Sequence, residues 1–167
     1  RRHLSITGVR LQKELQGIIC SPVNGLTPRK QNIRTARSFG TEVGTYAALK
    51  EAVSTFAVNC ANKLRKEGSS SSTITTFIHT NPFKPHATQY SNALTIKLEV
   101  PSNDNIEIVS AAIKALKKIY RPGLAYKKAG VLVGSIVPAS QVQLGLFDDV
   151  DRTKRTNLMK SLDSINS

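Results

Sequence analysis

Apolar positions recur along this chain with two different periods, and the places where one gives way to the other predict its elements. Tyr46, Leu49, Val53, Phe56, Cys60 and Leu64 follow at three- and four-residue spacing, behind Thr45 as N-cap and ahead of Gly68 as stop. That pattern predicts an amphipathic helix with one buried face. Asp104 and Glu107 stand at capping-box spacing before Ile106, Val109, Ile113, Leu116 and Tyr120, again at helical period, and Arg121-Pro122-Gly123 ends the run. A second amphipathic helix is expected there. Between the two, a turn at Ser69 to Ser72 precedes a β-branched strand from Thr73 to Thr80, and a loop runs from Asn81 to Gln89. Ser91 to Val100 then alternates strictly, with Leu94, Ile96, Leu98 and Val100 on one side and Thr95, Lys97 and Glu99 on the other.

Two further strands complete the set. Gln31 to Phe39 alternates loosely until Gly40 to Gly44 breaks it, and Ala129 to Val137 is an apolar run with Gly130 and Gly134, closed by Pro138. A short helix from Leu4 to Leu15, ended by Gly17, leads the chain, and Pro22, Gly25 and Pro28 mark a linker after it. The order β-α-β-β-α-β predicts an α+β fold: a four-stranded antiparallel sheet with two helices on one face and the other face free to bind. The leading helix and linker are expected to be an incoming arm, and near the other end Leu158, Leu162 and Ile165 hint at a helix.

Charge narrows the partner. The 167 residues hold 24 Lys and Arg against 11 Asp and Glu, a net charge of +13, and the first 40 residues contain eight of the basic and one of the acidic residues. No carboxylate lies between Glu14 and Glu42, so Arg29, Lys30, Arg34 and Arg37 present uncompensated charge. A polyanion is the natural ligand, and a phosphate-binding surface is expected. No stretch approaches the length of a spanning helix and no leader pattern opens the sequence, so a soluble cytoplasmic protein with no membrane partner is expected.

The carboxylates form no catalytic constellation, and no P-loop, G-x-G-x-x-G or G-x-S-x-G is present. Asp149 and Asp151 make the only D-x-D pair and read as a solvated patch; Cys20 and Cys60 lack histidines at ligand spacing, with Cys60 on a core stripe. This chain alone is expected to catalyse nothing and to hold no cofactor. The same element order occurs in RNA-recognition modules, which stack bases on sheet aromatics. Here Ser91 to Val100 carries none, and only Phe77 on the preceding strand is available, with core packing as its plainer role. Basic charge without such a platform favours backbone contacts to a duplex. After the last strand, Gln143-Leu144-Gly145-Leu146-Phe147 puts three apolar side chains in a Gly-containing linker, to be docked either in trans or on the chain's own sheet.

Taken together, QKELQGIIC (12–20), RTARSFG (34–40), NKLR (62–65), FIHTNPF (77–83), YKKAGVLVG (126–134) and QLGLFDD (143–149) resemble, in order and spacing, the C-terminal part of UmuC-type Y-family translesion DNA polymerases, the catalytic subunits of bacterial SOS mutagenesis. The resemblance implies that residues 1–27 end the thumb and that 28–138 form the little finger, which lies in the major groove of damaged primer-template DNA. It implies template-phosphate contacts for Arg34, Arg37 and Ser38, with supporting charge from Lys30, Lys97, Lys127 and Lys128. Arg34 and Arg37 are three apart, so a regular strand turns them to opposite faces unless a bulge intervenes or one acts from the edge.

The resemblance makes Gln143, Leu144, Leu146 and Phe147 a sliding-clamp-binding pentapeptide, with Gly145 departing from the usual middle residue. It further implies a processed UmuD dimer and a recombinase filament as partners, and magnesium in a palm domain that these residues do not include. The alternative is a free-standing basic RNA- or ribosome-binding domain.

Overall fold

The computed structural model describes residues 5–20, 29–84, 86–143 and 150–166. Helix α1 spans Ile6–Leu15 behind Ser5, whose hydroxyl accepts from the Thr7 amide, and it carries no buried residue. Strand β1 (Asn32–Val43) leads through Thr45, which caps with its side chain, into α2 (Tyr46–Lys66). Gly68 takes φ +60 where the helix turns into β2 (Ser69–Thr80), a conformation glycine adopts without strain. Strand β3 (Ser91–Ser102), helix α3 (Asn105–Ile119), strand β4 (Tyr126–Pro138), a single 3-10 turn at Ala139–Gln141 and helix α4 (Arg152–Ile165) follow.

The strands form one sheet in the order β1-β4-β2-β3, every neighbour antiparallel. Each β-α-β connection skips one strand, so α2 and α3 cross the same face. Their buried residues, Leu49, Val53, Phe56, Ala57, Cys60, Ala61 and Leu64 from α2 with Ile108, Ala112 and Leu116 from α3, meet Ile33, Ile74, Ile78, Ala129, Val131 and Val133 of the sheet. Alanines and Cys60 at the helix contacts let the backbones approach closely. Burial holds the Cys60 thiol pKa above its ordinary value, while its Sγ lies 3.3 Å from Thr35 Oγ1.

Several boundaries differ from the expectation. The serines after Gly68 form strand rather than turn, because Ser70 and Ser71 are buried opposite Val137 and Ile136 and the Ser71 hydroxyl donates to the Gly134 carbonyl at 2.6 Å. β1 continues past Gly40 through an irregular stretch between Ser38 and Val43, where Lys127 Nζ donates to the Gly40 carbonyl at 3.1 Å. The capping box of α3 is completed through Ser102: Asp104 Oδ1 accepts from the Ile106 amide, the Asp104 amide donates to Ser102 Oγ, and that hydroxyl donates to Glu107. Most consequential, the apolar stripe expected for α3 is only partly its core face. Leu116 is fully buried and Val109 and Tyr120 pack against the core, but Ile106 is 50% exposed, and Ile108, Ala111, Ala112, Ala115 and Ile119 complete the buried side.

The helical pattern expected near the end of the chain is α4, and its larger apolar residues face outward. Leu158, Leu162 and Ile165 are exposed, whereas Met159 is buried and polar pairs hold the helix. Arg65 Nε and Nη2 each lie 2.7 Å from an oxygen of Asp163, and its Nη1 donates to the Asn103 carbonyl and to Asn105 Oδ1. Arg152 meets Glu107 at 2.6 Å.

Arg65 thus links α2, the start of α3 and α4, and Arg65→Ala is expected to lose about 2 kcal/mol of stability, chiefly from hydrogen bonds to a largely buried guanidinium. Limited proteolysis should then cut first within α4. Its hydrogen bond to Arg65 lowers the Asp163 pKa, so the stabilisation is present above the unfolded carboxylate's pKa and fades as pH falls through the lower folded value. Acid titration of the unfolding midpoint should show that loss in the wild type and not in Arg65→Ala.

Candidate nucleic-acid interface

The uncovered face of the sheet is built from four cross-strand rows. In order β1, β4, β2, β3 they are Asn32, Gly134, Thr73, Lys97; then Arg34, Leu132, Thr75, Thr95; then Ala36, Gly130, Phe77, Ala93; then Ser38, Lys128, His79, Ser91. Strand alternation puts all sixteen side-chain positions on the side away from α2 and α3. The sequence arranges this directly: every second residue of β2, Ile74, Thr76 and Ile78, is buried under the helices, and the residues between them face out.

Three cations mark this surface. Lys97 lies in the first row, Arg34 in the second and Lys128 in the fourth, and among the described residues no carboxylate belongs to these rows. Glu99 continues the outward parity of β3 beyond the paired rows and is exposed. From β1 to β3 the rows span about 14 Å, three inter-strand spacings. The centre is low, with Gly130, Ala36, Ala93 and threonines.

Phe77 is where expectation and structure part. It is not core but lies on the open face across Gly130, and Arg34 Cζ stacks 4.3 Å from its ring centroid. A planar guanidinium on a ring is held in place before any ligand arrives, which lowers the ordering cost of a phosphate contact. Gly130 makes room for the ring: a Cβ there would sit 2.5 Å from Ala36 Cβ and closer still to Phe77 Cζ. Gly130→Ala should therefore displace the ring, cost about 1–3 kcal/mol in urea unfolding and loosen Arg34. The parity of Phe77 with Thr73 and Thr75, and the four-residue spacing of Gly130 and Gly134, were the signals that could have shown this arrangement. Asn32, whose side chain lies beside Gly134, carried no such signal.

The remaining expected residues fall elsewhere. Arg37 pairs with Ala129, on the helix-side parity of Ile33 and Thr35, because the irregularity in β1 begins only after Ser38; it is exposed at the sheet edge. Ser38 shares the open face with Arg34. Lys127 sits at a register shift in β4 and holds the Gly40 carbonyl, and Lys30 is ion-paired with Glu67, so neither stands as a free cation of the face. Gln143 is described and exposed, while Leu144, Leu146 and Phe147 lie outside the described residues.

The magnesium that the resemblance implies for a parent enzyme meets no donor set here. Among the described residues no group of three or more His, Cys, Asp or Glu side chains converges. Nor is any described helix long and apolar enough to cross a membrane.

Known proteins share this sequence pattern. The chain is 38% identical to Protein UmuC of Salmonella typhimurium over 168 positions, covering all of this chain and 40% of that protein. It is 38% identical to Protein ImpB of Salmonella typhimurium and 38% identical to Protein MucB of Escherichia coli, each over 167 positions, with 99% of this chain and 39% of the relative covered. The chain therefore spans about two fifths of the length of these relatives. The C-terminal domain of the impB/mucB/samB family matches residues 30–146, from just before β1 to the segment after the 3-10 turn, and so takes in the whole sheet and both covering helices. By that match the chain belongs to the impB/mucB/samB family and carries its C-terminal domain.

Proposed function

We propose that this chain is the DNA-gripping, non-catalytic part of a cytoplasmic Y-family translesion polymerase, with residues 1–27 as thumb end and tether, 28–138 as the little finger and 139–167 as a clamp-binding tail. The observation that carries it is the open sheet face: Arg34 stacked on Phe77, with Lys97 and Lys128 toward opposite corners of rows free of carboxylates. Its width of about 14 Å is close to the major groove's ~12 Å, so a duplex can bring phosphates to both edges while the low centre clears the base edges. Ser38 adds a hydroxyl beside Lys128, and Arg37 adds charge from the edge. Contacts of this kind position without reading sequence, which suits a template that carries damage.

An RNA- or ribosome-binding role is less well supported, since Phe77, the one outward Phe, Tyr or Trp of the paired rows, is covered by Arg34 rather than offered to a base. The parent enzyme would be a magnesium-dependent DNA polymerase of the SOS response, and a processed UmuD dimer and a recombinase filament would be its further partners.

Two measurements test the reading. Duplex DNA should bind with a log–log salt slope near −4.5, the value for about five neutralised phosphates, and in preference to RNA of equal length. Purified sliding clamp should bind by calorimetry, and replacing Gln143, Leu146 and Phe147 together by alanine should abolish that heat. A preference for RNA with no clamp binding would overturn it.

A further inference from the structure

The helix layer holds a second surface that the sheet face does not explain. α3 carries two apolar stripes: the buried one, rich in alanine, packs on α2 and the sheet, while Ile106, Val109 and Ile113 run along its outer side. These three line a shallow groove of about 490 Å³ together with Asn105, Ser110 and Lys114 of α3 and Lys50 of α2. Val109 is packed in part against the core, but Ile106 is half exposed and Ile113 only partly covered, so apolar surface along this strip stays open to solvent.

The surrounding charge says what fits. Lys50 and Lys114 border the apolar strip, and Lys117 and Lys118 are exposed on the last turn of α3. Glu107, the carboxylate of the first turn, is already bonded to Ser102 and Arg152, and Glu51 is not among the lining residues. A second copy of this chain would bring lysines against lysines across a self-complementary interface, on a protein of net charge +13. Nucleic acid would find lysines but no ring to stack on, and would leave the isoleucines in water.

We propose that this groove is a docking site for an acidic amphipathic helix of a partner protein. Apolar side chains on one face of that helix rest on Ile106, Val109 and Ile113, and flanking carboxylates meet Lys50 and Lys114. The stripe is about 10 Å long, two turns of a partner helix. DNA on the sheet and protein on the helices would then occupy opposite sides of one domain, and this site stands whether or not the sheet binds DNA.

The test uses a fluorescent peptide of about 18 residues, helical, with leucines at i, i+4 and i+7 flanked by glutamates, against the same peptide with lysines for glutamates. Anisotropy should show saturable binding of the acidic peptide alone. Ile106→Ser with Ile113→Ser, and separately Lys50→Glu with Lys114→Glu, should each weaken it at least about tenfold. Lys97→Glu with Lys128→Glu, an equal change of net charge on the other face, should change it less than about twofold. No binding, equal loss from both lysine pairs, or a concentration-dependent dimer that Ile106→Ser abolishes would each overturn the proposal. Should the isoleucine variant unfold, the comparison between the two lysine pairs still decides.

Discussion

Tyr126→Ala should remove about 3–5 kcal/mol of stability and leave the domain close to unfolded at room temperature, since domains of this size hold only about 5–15 kcal/mol. Tyr126 is fully buried and the largest such side chain, set at the start of β4 between the rings of Tyr90 and Tyr120, with centroids 6.2 and 5.9 Å away. Its hydroxyl donates to the Arg121 carbonyl and accepts from the Arg121 amide, both at 2.9 Å, and so closes the turn between α3 and β4. Truncation opens a cavity and leaves both backbone groups without that partner. Tyr126→Phe keeps the ring and should cost about 1–3 kcal/mol, the share of those two hydrogen bonds.

Urea unfolding at neutral pH separates the two, with an unchanged m-value required for either number to be read as stability. Burial raises the Tyr126 pKa, so its contribution is complete below the unfolded tyrosine's pKa of about 10 and is lost as pH rises toward the folded value. The gap between wild type and Tyr126→Phe should accordingly shrink in alkali. A gap that widens there would mean the hydroxyl is stabilised as phenolate, against the buried geometry.

What the sequence disclosed and what it hid follow from one asymmetry. Period and caps are local, and they reveal α2, α3 and the alternation of β3, including the outward parity of Lys97. Which stripe of a helix is buried depends on what lies opposite. On α3 the small Ala111, Ala112 and Ala115 are buried beside Ile108, Leu116 and Ile119, while Ile106, as hydrophobic as the buried isoleucines, stays half exposed. The same holds in α4, where Met159 and the Arg65–Asp163 pair decide the docking face and Leu158, Leu162 and Ile165 do not. Serines at Ser70 and Ser71 looked like a turn because a hydroxyl's partner, here the Gly134 carbonyl, lies 63 residues away. Strand parity was legible for Arg34 and Arg37, but the choice between bulge and edge required the pairing of β1 with β4.

The domain therefore has two layers of unlike chemistry. On the sheet, charge stands over small side chains and a guanidinium is held by a ring; on the helices, charge borders apolar side chains. The first suits a polyanion whose own surface is polar, and the second a partner with both acid and hydrocarbon to offer. Both faces attract anions at long range, so only variants matched for charge distinguish them.

Arg34→Glu, Lys97→Glu and Lys128→Glu combined should weaken duplex DNA binding at least about 100-fold at moderate salt, roughly 2.7 kcal/mol, and lower the magnitude of the log–log salt slope by about 2.7 as three phosphate contacts vanish. Lys66→Glu, Lys117→Glu and Lys118→Glu make the same change in net charge at exposed positions of the helix layer, and only a few-fold loss is expected from them. Arg37→Glu, at the edge on the helix-side parity, should fall between one of these helix positions and Arg34→Glu. Arg34→Lys discriminates further. It keeps the charge but not the planar group stacked on Phe77, so a loss of about three- to tenfold with an unchanged slope would show that the ring's placement of the guanidinium contributes beyond charge. Equal losses from the sheet and helix triples would mean that affinity follows net charge alone, and the open face would then have no special claim on DNA. Unequal losses with the slope change confined to the sheet triple tie the phosphates to Arg34, Lys97 and Lys128, because counterion release counts contacts and distant charge does not alter that count.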